Sequence, residues 1–272
     1  MEGLPADCIA DILSRGTPRD ACRSAVVASL FRTAVESDML WDSFLPPDHQ
    51  EIISKSMSPV MYKSKKELFF KLSSPIFIDR GLKAFSIDKA TGKNVTPFNK
   101  NVTLLGPLIL SFGVGNPLTN LELRMTSWLE VEGKINTRIL SPNTMYRAYL
   151  IVQVAHYRAF GFDVVPCEIS VEVCEFCSRG VVTLSHSAFT KRSLEHVCGK
   201  NKVGGRLRLR SDDKVSRVCL ERKDGWLEIE LGEFYNQGMC EKEVKMSLRE
   251  IKGVHLKGGL IVKSLEIRPV SP

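Results

Sequence analysis

The hydrophobic period changes at Pro75, and that change constrains this chain more than any other feature. Upstream, apolar residues recur at helical spacing: Ile9, Ile12 and Leu13 share one face at i, i+3 and i+4. Downstream, short runs alternate apolar and polar side chains between turn residues, the pattern of half-buried strands. A 3.6-residue repeat would scatter its apolar set over both faces of a strand, so one segment cannot serve both states. The chain is therefore read as α+β, with helices first and an antiparallel β-sandwich after them.

Within the helical part, Gly16 closes the first helix and Thr17-Pro18-Arg19-Asp20 opens a second. Thr17 can cap, Pro18 suits the first helical position, and Asp20 complements the helix dipole. Cys22, Ala25, Val26 and Ser29 give that helix a face of small side chains, which lets helices approach closely. A third segment reaches Trp41 and Phe44 before Pro46-Pro47 stops it. These make a three-helix unit over 1–46. Residues 47–75 read as a helical connector, weakly helical at 51–55 and 64–72, and residues 76–272 as the β-rich domain.

Strands are expected at 128–132, 146–154, 168–173, 180–184, 206–210, 226–231, 243–248 and 259–268, with a turn at Ser141-Pro142-Asn143-Thr144. The run 146–154 is nearly all apolar and fits burial on both faces. In 206–210, Arg206, Arg208 and Arg210 alternate with Leu207 and Leu209, predicting one basic face. Trp128-Leu129-Glu130-Val131-Glu132 is echoed by Trp226-Leu227-Glu228-Ile229-Glu230. Five residues are too few for a duplication. Each reads as a strand with one buried and one acidic face, its Trp part of the framework.

Composition excludes whole classes. At 43% hydrophobic and 25% charged residues, the chain is globular rather than disordered or fibrous. Glu2 and Asp7 stand where a secretory leader would carry bases, and no apolar stretch follows. The longest apolar run, 104–114, is broken by Gly106, Pro107, Ser111 and Gly113 and falls short of the roughly 20 residues a bilayer span needs. The expectation is a soluble protein of the cytoplasm or nucleus with no membrane partner. The eight cysteines are then read as thiols. Residues 1–46 hold seven acids against four bases, a net of −3, which leaves +10 for the other 226 residues of a chain at +7. Bases dispersed over strands read as a solvated surface, so nucleic acid is not expected as a partner.

No constellation points to catalysis. Cys174-Glu175-Phe176-Cys177 is a zinc half-site by spacing, but His186, His196 and Cys198 follow irregularly, so no metal and no cofactor is expected. His49, His156 and His255 lack motif partners. Gly113-x-Gly115 and Gly204-Gly205 lack the Lys-Ser/Thr pair of a phosphate loop and read as turns. The chain is not expected to be an enzyme.

The N-terminal residues are more specific. Leu4-Pro5-x-Asp7-x-Ile9-x-x-Ile12-Leu13-Ser14, Asp20-Ala21-Cys22-Arg23, Phe31-Arg32 and Trp41-x-x-Phe44-Leu45-Pro46 resemble an F-box, in the form found in plant F-box proteins of the phloem protein 2 group. Trp128-Leu129-Glu130-Val131-Glu132-Gly133-Lys134-Ile135, Leu140-Ser141-Pro142-Asn143-Thr144, Asp224-Gly225-Trp226-Leu227-Glu228-Ile229, Gly232-Glu233-Phe234-Tyr235-Asn236, Gly259-Leu260-Ile261-Val262-Lys263 and Ile267-Arg268-Pro269 resemble that group's jelly-roll-like, Nictaba-type lectin domain. The resemblance implies a substrate-recognition subunit of an SCF-type ubiquitin ligase. Its F-box would bind a Skp adaptor, and through it a cullin ligase, with Leu4, Pro5, Ile9, Ile12, Leu13, Ala25 and Val26 as contact residues. The β-rich domain would hold an unknown target protein, glycosylated targets included. The alternative is a lectin for N-acetylglucosamine oligomers or N-glycans with little ligase role, a third reading being a basic surface module for acidic or nucleic-acid partners. Candidate sugar contacts are Phe98, Phe112, Glu233, Asn236 and Glu241. Residues 71–127 contain no Trp, whereas the family places its Trp residues there, so weak glycan binding is expected.

Overall fold

The computed structural model describes residues 4–78, 83–98, 102–105, 121–155, 159–162, 164–184, 215–216, 219–238 and 241–270. The predicted strand at 206–210, Phe112, His156, His186, His196, Cys198 and the glycine pairs near 113 and 204 lie outside the described residues.

Helices come first: α1 Ala6–Ser14, α2 Pro18–Val27, α3 Ser29–Val35, α4 Asp38–Phe44, α5 His49–Ser54 and α6 Lys65–Leu72. The three-helix expectation for 1–46 is thus corrected to four among the described residues. Ala28 adopts an extended conformation (φ −151°, ψ 152°) and splits the middle of the unit into α2 and α3. It follows the β-branched pair Val26-Val27, which a helix accommodates less readily than unbranched residues. The expected start of α2 is found: the Thr17 hydroxyl accepts the Asp20 N–H at 3.2 Å, with Pro18 at the first helical position. That hydroxyl also donates to the Asp20 carboxylate, which holds this carboxyl below its usual range.

Trp41 organises the helical core. It is fully buried, its indole N–H donates to the Val35 carbonyl at 2.6 Å, and the rings of Phe44, Phe69 and Phe70 lie 5.2–5.9 Å from its own. Leu68, Phe69 and Leu72 of α6 belong to the same apolar cluster as Ile9, Ala21, Val35 and Leu40. Residues 47–75 therefore contribute core as well as connection. Among the described residues, no helix is long and apolar enough to cross a membrane.

The strands are β1 Ile76–Ile78, β2 Lys83–Ile87, β3 Asn94–Phe98, β4 Val102–Leu105, β5 Leu121–Leu123, β6 Leu129–Asn136, β7 Thr144–Val154, β8 Cys167–Val173, β9 Phe176–Val182, β10 Val215–Ser216, β11 Cys219–Glu221, β12 Leu227–Asn236, β13 Glu243–Glu250 and β14 Leu260–Pro269. Among the described residues they form two sheets. One runs β1-β2-β3-β14-β7-β12-β11, with β5 also on β14; the other runs β10-β9-β8-β13-β6-β4. Every pairing is antiparallel except β10 on β9. The inward residues of both sheets, such as Leu150 and Ile229 from one and Val171 and Met246 from the other, join a single cluster.

The echoed pentapeptides sit one in each sheet. Leu129 and Val131 of β6 point into the shared core, as do Leu227 and Ile229 of β12. Their acids face outward onto bases: Arg249 and Lys245 of the neighbouring β13 reach Glu130 at 2.6 Å and Glu132 at 3.0 Å, while Arg268 of β14 reaches across β7 to Glu228 at 2.6 Å. Both strands begin one residue after the Trp. Trp128 is therefore not framework as expected: it stands in the preceding loop, 53% exposed.

Candidate functional site

The proposed contact residues of the helical unit separate into two groups. On α1, Ile9 enters the core at 3% exposure, whereas Ile12, one turn further along the face the spacing predicts they share, lies at that face's edge and is 57% exposed. Leu4 and Pro5 lead into that helix and are exposed too. Leu13 and Ala25 are partly buried against the helical cluster. Val26, 82% exposed, lines an open groove of about 420 Å³ floored by Trp41 and Phe69, with Phe70 beside it and Arg19, Arg23 and Lys89 at its rim. Leu4, Pro5, Ile12 and Val26 are thus available to a partner, and Ile9 supports the unit from inside.

The candidate sugar contacts are dispersed among structural bonds. Glu233 follows an irregularity in the β12–β7 pairing and stands opposite Arg147, whose Nε donates to its carboxylate at 2.7 Å. A second guanidinium nitrogen reaches the same oxygen. Asn236 is buried. Its amide N–H₂ donates to the carbonyls of Leu140 (3.3 Å) and Ser141 (3.0 Å), and its carbonyl accepts the Gly238 N–H. This ties the predicted 141–144 turn to β12. From the other side the turn is fixed by the hydroxyl of buried Tyr146, which accepts the Ser141 N–H at 2.9 Å. Burial pushes the Tyr146 phenol above its usual range, and its ring stacks on Phe234 at 5.9 Å. Glu241 accepts from the Asn136 amide at 3.2 Å and lies 3.6 Å from Arg138, both exposed. Phe98 pairs through its backbone with Lys83 and Leu265 at the end of β3.

Cys174 lies in the β8–β9 turn and Cys177 in the first part of β9, both exposed. The Cys177 thiol lies 3.8 Å from Glu172 and accepts from the Arg179 side chain at 3.2 Å. Among the described residues, no group of three or more His, Cys, Asp or Glu side chains is arranged to hold a metal ion.

Sequence reasoning passed over a buried ion pair between Lys257 and Glu250 and the exposed apolar loops above it. Neither carries a periodic signal, because the pair is assembled from β13 and the loop after it by tertiary packing.

Comparison with known proteins agrees with this architecture. A family described as Phloem protein 2 matches residues 118–269, which spans β5 to β14. Three similar relatives, all from Arabidopsis thaliana, are F-box protein PP2-B15 (40% identical, covering 98% of this chain and 96% of the relative), F-box protein PP2-B13 (35%, 99% and 99%) and F-box protein VBF (36%, 99% and 99%). With identity at this level along both the helical and the strand-rich parts, the chain belongs to the F-box protein PP2-B family and carries its phloem protein 2 domain.

Proposed function

We propose that this protein is the substrate-recognition subunit of an SCF-type ubiquitin ligase. In this reading residues 1–46 are the F-box, residues 47–75 connect it, and residues 76–272 are a jelly-roll-like sandwich that holds the target. The observation that carries it is the exposed apolar edge of α1: Leu4, Pro5 and Ile12 are left uncovered by a unit that buries Ile9 well, in a chain whose relatives are named F-box proteins. Exposed apolar anchors on a small helical unit are what an adaptor interface would cover. The Skp adaptor takes that edge and the exposed Val26, the cullin ligase follows through the adaptor, and ubiquitin transfer chemistry belongs to other subunits. Work within such a ligase places the protein in the cytoplasm or nucleus.

Co-precipitation with a Skp adaptor tests this. Replacing Leu4 and Pro5 with Ala, or Ile12→Asp alone, is expected to abolish binding while shifting stability by no more than about 0.5 kcal/mol, as for most surface substitutions. Ile9→Ala is the contrasting variant, and its cost is about 2–5 kcal/mol of stability. Undiminished adaptor binding in the Leu4/Pro5 double variant would end the proposal.

A further inference from the structure

Three loops meet at one end of the two sheets: residues 124–128 before β6, 159–162 after β7, and 251–259 between β13 and β14. Backbone bonds join them. Thr126 and Lys257 exchange N–H···O bonds of 2.8 Å in both directions, and Phe160 and Gly258 do the same at 3.1 Å. Gly161, at φ +80°, comes so close that a Cβ there would lie 2.3 Å from the Leu256 carbonyl oxygen. A Cβ at Gly258 would lie 2.1 Å from that of Arg124. Beneath them the ammonium of fully buried Lys257 pairs with buried Glu250 and donates to the Ser127 carbonyl at 2.7 Å. The Glu250 carboxylate accepts the Gly253 N–H at 2.7 Å. Burying two charges carries a desolvation cost of several kcal/mol per ion unless geometry and further hydrogen bonds offset it. Here each charge also bonds the backbone of a loop, so the pair clasps the loops in one arrangement.

What the clasp holds in place is apolar. Met125, Trp128, Phe160, Ile251, Val254 and Leu256 are all exposed, Val254 to 95%. The outer faces of the strands are lined instead by ion pairs. A contiguous apolar tip on a rigid support marks an interaction surface. Its rim carries a cation: exposed Arg124 has no ion pair among the described residues, whereas Lys252 of the 251–259 loop is held by Glu168 at 2.7 Å. The described residues of these loops contain no exposed carboxylate. We propose that this tip is the target-docking surface of the protein, and that its occupant is an apolar segment of the target flanked by Asp or Glu. The biological use of the tip rests on the receptor reading above; its binding chemistry does not.

Fluorescence anisotropy with the full chain tests it. The probes are labelled synthetic peptides with a Leu- and Phe-rich core between Glu flanks, the same core between Lys flanks, and a Ser core between Glu flanks. The first is expected to bind about tenfold or more tighter than either control, and to weaken with added salt. Val254→Asp with Leu256→Asp should reduce its affinity at least about tenfold, the loss typical of removing central apolar anchors. Arg124→Glu should invert the flank preference without touching the apolar core, which keeps the test valid if the double variant is unstable. Adaptor co-precipitation, run in parallel, should be unchanged in every variant, so failure here is distinct from failure of the receptor reading. No binding of the Glu-flanked peptide, equal binding with Lys flanks, undiminished binding in the variants, or a dimer that Val254→Asp dissolves would each overturn the proposal.

Discussion

Cys167 stands 1% exposed on β8, and burial pushes its thiol from the ordinary 9.0 up to about 12. The folded state thus keeps this proton after the unfolded chain has lost it. The stability contributed by the neutral thiol is complete below pH 9 and declines as pH rises from 9 to 12, by about 1.4 kcal/mol per pH unit. Urea unfolding across that window should show the decline, and Cys167→Ala should reduce its slope, leaving the part due to Cys219, whose thiol burial also pushes up to about 12, although the substitution lowers stability at neutral pH. A slope unaltered by the substitution would assign the loss to other groups. Single residues also mark the limit of what the sequence makes legible. Thr17 is readable as a cap because its partner is three residues away. Asn236 is different: the family resemblance offers its amide as a sugar contact, but the carbonyls it bonds lie 95 and 96 residues earlier in the chain. No local pattern announces such a partner.

At the scale of elements, alternation made the strands legible. The acidic faces of β6 and β12 follow from two-residue periodicity, and β7 is legible as a nearly all-apolar run over 146–154. Strands β1 to β5 are short, interrupted by Pro97 and turn residues, and too brief to fix a period. What alternation cannot supply is the register between strands, and register decides the fate of Glu233. The β12–β7 pairing sets it opposite Arg147, so its charge is already neutralised by a two-nitrogen contact. A sugar hydroxyl would have to compete with a guanidinium, and charge-assisted bonds are roughly twice as strong as neutral ones. Calorimetry of the full chain with N-acetylglucosamine oligomers is therefore expected to give millimolar binding at best, about −4 kcal/mol. Arg147→Ala would free the carboxylate and should strengthen any such binding. Micromolar affinity in the unmodified protein, lost on Glu233→Ala, would refute this account of β12.

For the whole molecule, the consequential feature is where the helical core ends. The change of grammar at Pro75 is a boundary of secondary structure, and the apolar cluster runs across it. Ile78 of β1 and Phe85 and Ile87 of β2 pack with Trp41, Phe44, Leu68 and Phe69, and α6 lies directly on β2. Periodicity reports which face of an element is apolar but not which other element covers it, so this continuity was invisible in the sequence. Two parts that share a core lend each other stability, and neither melts without exposing the other's apolar surface. Phe85 is 1% exposed, and its removal to Ala should cost about 3–5 kcal/mol. Because Phe85 sits in the shared cluster, Phe85→Ala should lower one common thermal transition, followed alike by far-UV dichroism of the strands and helices and by the fluorescence of buried Trp41. A fragment starting at residue 76 should be less stable than the same residues in the full chain, since Ile78, Phe85 and Ile87 would face water. Two separate transitions, with Phe85→Ala shifting only one of them, would show that the helices and the sheets fold independently and that the contact between them is incidental.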